Sequence, residues 1–308
     1  MDRLDIEIFN TIVNEGTISK AAEALFLSPT TVGARLKTLE KELGITLIER
    51  GKGIKSIELT NGGKRFSVLA SNMLYLWNEC DEIKNQTAKT TFSIAAADSF
   101  FQYVLSPLFN HLIYDINCFY LELQLYPSDM IYPLVSRHSV DVGFAMTKMN
   151  YPNVLVKPLF ESDVVVVTPR ASSIKSKRIK PDALDPEKEL FVGTRRNRNV
   201  GWGATFNAWH DSLFNREKHP LARVNSVSIL SYLLDQGDYW ALLPRQNALG
   251  YSRTHNLRIL ELDCPTPKWT CYMLTSTNNT NTTANTKINL FRQYLNEFIT
   301  KNKLHMLP

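Results

Sequence analysis

Hydrophobic residues recur at helical spacing in the first part of the chain. Ile6, Phe9 and Val13 lie three and four positions apart, which is the repeat of an amphipathic helix. Gly16 ends this pattern in the way that glycine commonly ends a helix. A second short pattern follows over residues 20–26. The sequence therefore predicts two helices in close succession.

A third helix is predicted to begin after Ser28 and to end at Gly44. Serine is a favoured N-cap, and Pro29 suits the first helical position. Two short helices joined by a tight turn predict a helix-turn-helix, whose second helix enters the major groove of DNA. We expect the following residues near the start of this helix to face DNA: Ser28, Pro29, Thr30, Thr31, Gly33, Ala34, Arg35 and Lys37.

Residues 48–59 contain two glycines between short apolar runs, which predicts a β-ribbon that turns back on itself. Three basic residues of this ribbon, Arg50, Lys52 and Lys55, are expected to contact phosphates. Residues 28–65 carry eight basic and four acidic residues, although the net charge of the whole chain is only +5. The local charge favours a nucleic-acid surface, and a solvated helix face is the alternative.

From Thr60 to Gln86 the pattern predicts one long helix. Its apolar residues alternate at steps of three and four, a heptad repeat that favours pairing with a second helix. The six positions of the repeat are Phe66, Leu69, Met73, Leu76, Cys80 and Ile83. We expect a dimerisation helix; an amphipathic helix that lies on its own domain is the alternative.

Beyond residue 90 the pattern changes to strands that alternate with helices. Strands are predicted at residues 92–97, 120–125, 140–145, 163–168, 190–193, 223–227 and 240–243. Helices are predicted at residues 98–112, 127–135, 204–214, 227–234 and 287–299. The alternation predicts parallel α/β sheets in two lobes, joined near residues 151–160 and 264–270. Residues 275–286 are polar and low in complexity, which predicts a loop.

Four short motifs follow one another in the first 63 residues. They are Ala21-Ala22 with Leu25, Leu39-Glu40 with Leu43-Gly44, Leu47-Ile48-Glu49-Arg50, and Leu59-Thr60 with Gly63. In this order the sequence resembles the LysR-type transcriptional regulators, in which Phe is usual at the position of Ile48. The family commonly has Gln-Pro and Ser-Arg where this chain has Pro29-Thr30 and Gly33-Ala34.

The resemblance implies a multidomain α+β fold with a winged helix-turn-helix, a dimerisation helix and a two-lobed α/β effector domain similar to periplasmic binding proteins. The implied domains are residues 1–59 (winged helix-turn-helix), 60–90 (linker helix and hinge), 91–161 with 267–308 (first effector lobe) and 162–266 (second effector lobe). It also implies a homodimer or homotetramer on a double-stranded DNA operator, with RNA polymerase as a further candidate partner.

A ligand of such a domain is expected between its lobes. Ligands of open α/β sheets bind at the carboxyl ends of the strands, near helix N-termini. The residues expected there are Ser99, Phe100, Ser128, Asp129, Thr194, Arg195, Trp202 and Ser228. Arg195 favours an anionic effector and Trp202 can stack on an aromatic acid, whereas Asp129 and Asp238 favour an amine-bearing effector.

Several classes of function are disfavoured by the sequence. It contains no P-loop, no dinucleotide fingerprint and no zinc-protease or serine-hydrolase motif, so we expect no enzyme, no cofactor and no metal site. No apolar run approaches the ~20 residues of a membrane span, and no secretory signal is visible. We therefore expect a cytoplasmic protein that does not bind membranes.

The sequence thus predicts a sequence-specific DNA-binding transcriptional regulator that a small-molecule effector controls. An alternative keeps the regulator but replaces the effector with cysteine oxidation, because Cys264 and Cys271 lie seven positions apart. Packing in the segment between the lobes is the other explanation for these thiols.

Overall fold

A computed structural model describes most of the chain and divides it into two compact units. The described residues are 1–49, 57–85, 89–193, 202–214, 219–277, 282–302 and 305–306. The first unit comprises Met1–Ala88 with Ser136–Ser139, and the second comprises Lys89–Val135 with Val140–Pro308. None of the described helices is both long enough and apolar enough to cross a bilayer.

The first unit is a small helical domain with a short hairpin. Its elements are α1 (Arg3–Glu15), α2 (Ile18–Ala24), α3 (Pro29–Leu43), β1 (Ile48–Glu49), β2 (Glu58–Leu59) and α4 (Asn61–Asn85). Asp2 and Asp5 form a capping box at the start of α1. Gly16 and Gly44 end α1 and α3 with φ angles of 73° and 68°, in the left-handed region that glycine adopts at little cost. The three predicted helices are confirmed.

The second unit contains two sheets and a separate strand pair. Its strands are β3 (Thr90–Ala96), β4 (Phe119–Leu125), β5 (Val142–Ala145), β6 (Val154–Ser162), β7 (Val164–Pro169), β8 (Arg178–Ile179), β9 (Leu190–Val192), β10 (Ala222–Val224), β11 (Ala241–Pro244), β12 (Leu257–Leu262), β13 (Trp269–Ser276) and β14 (His305–Met306). Its α-helices are α5 (Asp98–Phe100), α6 (Ser106–Asn110), α7 (Ser128–Ser136), α8 (Gly203–Leu213), α9 (Val227–Asp235), α10 (Arg245–Tyr251) and α11 (Thr282–Lys301). Phe101–Leu105 and His111–Ile116 are π-helical turns that flank α6.

The two sheets are mixed, whereas the sequence predicted parallel ones. The larger sheet has the order β14-β6-β13-β5-β3-β4, in which β3 runs parallel to β4 and β5, and β13 runs antiparallel to β5 and β6. The smaller sheet has the order β11-β7-β12-β8, with β7 antiparallel to both of its neighbours. Strands β9 and β10 form a separate parallel pair.

The prediction of a loop over residues 275–286 was wrong at both ends. Strand β13 continues to Ser276, because Thr275 and Ser276 pair with Leu155 and Val154 of β6. Helix α11 begins at Thr282, five residues before the predicted start. Long-range pairing thus extends the strand into a sequence whose composition alone favours a loop.

Each sheet contributes to a buried core. In the larger sheet, Phe92 of β3 and Phe144 of β5 pack against Phe291 of α11 in an aromatic cluster. In the smaller sheet, alternate valines of β7 face two different cores, so this strand is buried on both sides. The second unit therefore has the layered α/β construction that the sequence predicted.

A buried ion pair ties α11 to the larger sheet. The Lys287 ammonium lies 3.0 Å from an Asp141 carboxylate oxygen, and both side chains are less than a tenth exposed. The other oxygen of Asp141 accepts hydrogen bonds from the Ser93 backbone N–H and hydroxyl, at 2.8 and 3.0 Å. Such a pair needs these additional hydrogen bonds to offset the loss of water around two charges.

Candidate functional site

Helix α3 has a capped N-terminus and one exposed polar face. The Ser28 hydroxyl accepts a hydrogen bond from the Thr31 backbone N–H at 3.0 Å, and Pro29 occupies the first turn. Val32, Leu36 and Leu39 of the same helix are fully buried. The predicted DNA-contact residues that are exposed on the other face are Ser28, Pro29, Thr30, Thr31, Ala34 and Lys37, while Gly33 is half-buried.

Arg35, which the sequence predicted to contact DNA, is held within the protein. Its guanidinium lies 2.7 Å from Asp2 and 2.9 Å from Asp5, and Asp5 is only 5% exposed. These hydrogen bonds raise the pKa of Arg35 and lower that of Asp2. Because Asp2 and Asp5 belong to the capping box of α1, Arg35 fastens α3 to the start of α1.

Glu40 explains one of the sequence motifs in physical terms. One of its carboxylate oxygens accepts hydrogen bonds from the backbone N–H groups of Leu47 and Ile48, at 2.8 and 3.3 Å. Glu40 lies on α3, and Ile48 begins β1. The glutamate of the Leu39-Glu40 motif therefore joins α3 directly to the hairpin.

Thr60 and Gly63 fix the other side of the hairpin. The Thr60 hydroxyl donates to the Thr46 carbonyl at 2.7 Å and accepts from the Gly63 N–H at 2.9 Å. A Cβ at Gly63 would lie 2.0 Å from the Leu47 carbonyl oxygen, so only glycine allows this close approach. The hairpin itself pairs Ile48 with Leu59 in antiparallel register.

The basic residues predicted for the tip of this hairpin lie outside the described residues. These are Arg50, Lys52 and Lys55. Their contact with phosphates stays a prediction from the sequence.

The heptad positions of α4 divide between a buried and an exposed group. Phe66 is 5% exposed, and its ring centroid lies 5.1 Å from that of Phe9 in the core of the same unit. Its predicted place in a dimer contact was therefore wrong, because this ring has no surface left for a second chain. Leu69 and Leu76 are 56% and 50% exposed, and Cys80 is also exposed.

The two remaining heptad positions differ from both groups. Met73 is half-buried and packs against the core of the first unit. Ile83 lies in α4, but its side chain is outside the described part of the chain. The exposed stripe of Leu69, Leu76 and Cys80 is thus the described part of the predicted dimer surface.

Two residues predicted for the effector site lie where β3 ends, and one of them was assigned wrongly. Phe100 is fully buried, and its ring centroid lies 5.5 Å from that of Phe144 and 6.0 Å from that of Phe160. It is a core residue and has no surface for a ligand. Ser99 is half-buried in α5, a helix whose N-cap is Ala97 without a side-chain hydrogen bond.

The ends of β4 and β5 meet at a pair of polar residues. The Ser128 hydroxyl, in a residue only 5% exposed, accepts a hydrogen bond from the Met146 N–H at 3.1 Å. The next residues along each segment are Asp129 and Thr147. One carboxylate oxygen of Asp129 and the Thr147 hydroxyl oxygen are buried without a hydrogen-bond partner among the described residues. Buried oxygens of this kind are costly unless a bound molecule or water satisfies them.

Trp202 lies between the cores of the two sheets. Its indole N–H donates to the Val192 carbonyl at 2.8 Å, and its ring stacks on Phe206 with centroids 3.9 Å apart. It packs against the aromatic core of the larger sheet and against one core of the smaller sheet. Trp202 directly precedes α8, and a buried hydrogen bond of 2.8 Å joins His210 of this helix to Glu189, the residue before β9.

The remaining predicted effector residues are described in part or not at all. Thr194 and Arg195 lie outside the described residues, and Ser228 lies in the first turn of α9 with its side chain outside them. Asp238, which the sequence suggested as a partner for an amine group of the effector, instead accepts hydrogen bonds within the protein. Hydrogen bonds from Ser172 and Ser173 lower its pKa to about 2.

Three of the four cysteines do not resemble activated thiols. Burial raises the pKa of Cys271 well above 9.0 and also raises the pKa values of Cys118 and Cys264. Reactive cysteines usually have a lowered pKa, because the thiolate is the reactive form. Among the described residues, no group of three or more His, Cys, Asp or Glu side chains is arranged to hold a metal ion.

Comparison with known proteins identifies the family. Residues 4–64 match the family described as "Bacterial regulatory helix-turn-helix protein, lysR family", and residues 85–299 match the "LysR substrate binding domain". The chain belongs to the LysR family of transcriptional regulators. Its helix-turn-helix unit binds DNA, and its second unit is the substrate-binding domain of that family.

Two curated relatives of this LysR-family chain are bacterial regulators. The regulator YtlI of Bacillus subtilis is 43% identical over 74 residues, which span 24% of this chain and 23% of that protein. The regulator HdfR of Yersinia enterocolitica is 24% identical over 251 residues, which span 78% of this chain and 81% of that protein. The higher identity is thus limited to a short stretch.

A solved structure of the LysR family shares the fold. Full-length CbnR, complexed with its target DNA, superposes with a TM-score of 0.61 at 18% identity, over 97% of this chain and all of that one. At this identity the likeness concerns the fold alone.

Proposed function

We propose that this LysR-family regulator reads a double-stranded operator with the exposed face of α3, while the β1–β2 hairpin contacts the flanking phosphates. The observation that carries the proposal is the anchoring of α3. Its N-terminus is capped by Ser28, Arg35 fastens it to α1, and Glu40 fastens it to β1. A helix with a capped start that is held to α1 and to β1 can present Thr30 and Thr31 to base edges with little loss of conformational entropy.

We propose further that two copies pair through α4. Exposed apolar side chains on a helix are costly in water, and Leu69 and Leu76 lie one heptad apart on α4. The two helix-turn-helix units of one dimer would read the two half-sites of an operator with dyad symmetry. A homotetramer would double this number. Such an assembly would act in the cytoplasm and would not be an enzyme. It would activate or repress transcription, with RNA polymerase as a partner.

The effector is proposed to bind between the two sheets, near Ser128, Asp129 and Trp202. The unpaired oxygens of Asp129 and Thr147 support a ligand that donates hydrogen bonds, and an amine-bearing compound does so. This favours the amine alternative among the described residues, while the anionic alternative depends on Arg195. Oxidation sensing has less support, because burial raises the pKa of Cys264 and Cys271.

The DNA-binding part of this proposal is tested by the salt dependence of operator binding. Lys37→Ala removes one exposed cation from α3 of each copy, so in the proposed dimer the magnitude of the slope of log Kd against log salt should fall by about 2. Lys175→Ala is the matched control, since Lys175 is exposed in the second unit. Equal slopes for the wild type and Lys37→Ala would contradict the placement of α3 on DNA.

A further inference from the structure

Phe26 is an aromatic side chain left almost completely in water. It lies in the turn between α2 and α3 and is 96% exposed, more than the other large hydrophobic residues described as exposed. Among the described residues, its own unit covers almost none of this ring. An exposed phenylalanine therefore contributes nothing to the hydrophobic core of the first unit.

The backbone of Phe26 is also in an unfavourable conformation. Its φ angle is 55°, in the left-handed region that bulky residues rarely adopt. The Phe26 N–H bonds to the Glu23 carbonyl at 3.1 Å, and the Leu27 N–H bonds to the Ala22 carbonyl at 2.9 Å. This pair of bonds is the Schellman motif, in which glycine is the usual left-handed residue.

The same chain uses glycine at two comparable positions. Gly16 after α1 and Gly44 after α3 are both left-handed, and a Cβ at either position would meet no neighbouring atom. The turn after α2 therefore carries Phe26 against both the backbone preference and the hydrophobic effect. A strained, exposed residue that the fold does not need indicates a role in binding.

We propose that the Phe26 ring makes an apolar contact with duplex DNA at the edge of the groove that α3 enters. The ring lies two residues before Ser28, on the turn that leads into the exposed face of α3. Phenylalanine contacts with DNA are apolar, to a thymine methyl group or to the carbons of deoxyribose. This inference rests on the proposed binding of DNA by α3.

The test separates stability from affinity. Phe26→Asn should raise the melting temperature by about 2–4 °C, because asparagine accepts the left-handed conformation more readily. The same variant should weaken operator binding roughly five- to tenfold, through loss of the buried ring face. The slope of log Kd against log salt should stay at the wild-type value, since no cation is removed. Phe26→Tyr, which keeps the ring, should bind as the wild type does.

Three results would overturn the inference. One is a Phe26→Asn protein that binds the operator as tightly as the wild type, provided that Lys37→Ala weakens binding. A second is weaker binding with a reduced salt slope, which an apolar contact does not produce. A third is weaker binding together with a lower melting temperature in both Phe26→Asn and Phe26→Gly, which would show that the ring stabilises the folded protein and does not contact DNA. If Lys37→Ala also leaves binding unchanged, the proposed function fails instead.

Discussion

At the scale of single residues, the most informative one is Arg35. From the sequence, an arginine in the first turns of a predicted recognition helix indicates a DNA contact. In the structure its guanidinium is bound by Asp2 and Asp5, 33 and 30 positions earlier. The local charge pattern around Arg35 does not reveal these ion pairs, because Arg35 meets the two aspartates only when α1 and α3 pack together. The assignment of Phe100 to the effector site was wrong for a similar reason, since the neighbours that bury it, Phe144 and Phe160, are distant in sequence.

The role of Arg35 as a tether gives a specific prediction. Arg35→Ala should weaken binding to the operator and to mismatched DNA by similar factors, because it releases α3 rather than removing a base contact. Asp5→Asn should behave in the same way, although Asp5 is nearly buried. Both are measured as the ratio of operator to non-specific Kd. A ratio that rises for Arg35→Ala but not for Asp5→Asn would restore Arg35 as a base-reading residue.

The tether should also respond to acid. Asp2 has a folded-state pKa below its ordinary value of 3.8, owing first to the Arg35 hydrogen bond. A lowered carboxyl pKa stabilises the fold above the unfolded pKa and loses this effect as the pH falls through the folded one. The contribution of the Asp2–Arg35 pair to stability is therefore full at neutral pH and is lost as the pH falls through the lowered pKa of Asp2, a loss that acid unfolding of the wild type and of Asp2→Asn would measure.

At the scale of elements, the sequence predicted the first unit much better than the second. The helices of the first unit begin and end at local sequence signals. Ser28 caps the start of α3, and Gly16 and Gly44 end α1 and α3, so each boundary depends on residues close to it in sequence. Strand β6 was missed because its interior contains Lys157 and Pro158 and because it pairs with β13, over a hundred positions away. Its strand character depends on that distant partner.

The exposed stripe of α4 gives a prediction about assembly. A double variant, Leu69→Glu with Leu76→Glu, places like charges on both sides of the proposed pairing surface and should halve the mass of the assembly. Lys64→Glu, at another exposed position of α4, is the control and should leave the mass unchanged. Sedimentation equilibrium measures both. An assembly of unchanged mass in the double variant would show that this stripe is not the interface.

At the scale of the whole molecule, the chain combines a DNA-binding unit with a substrate-binding unit of the LysR family. The motifs of the first unit carried this inference, and Glu40, Thr60 and Gly63 now have physical reasons to be where they are. The predicted effector residues include Phe100, which is buried in the core, because a position in the sequence does not show the direction of its side chain. The unpaired oxygens of Asp129, which the sequence singled out, and of Thr147, which it did not, support the proposed effector site.

The central claim is that this protein selects particular operator sequences. The most direct test is to mix the purified full-length protein with fragmented genomic DNA, recover the bound fragments and sequence them. We predict enrichment of a small number of intergenic sites with dyad symmetry, since the two helix-turn-helix units of a dimer read two half-sites. Uniform recovery of fragments by a folded, dimeric protein, with and without added amines and carboxylates, would contradict the account.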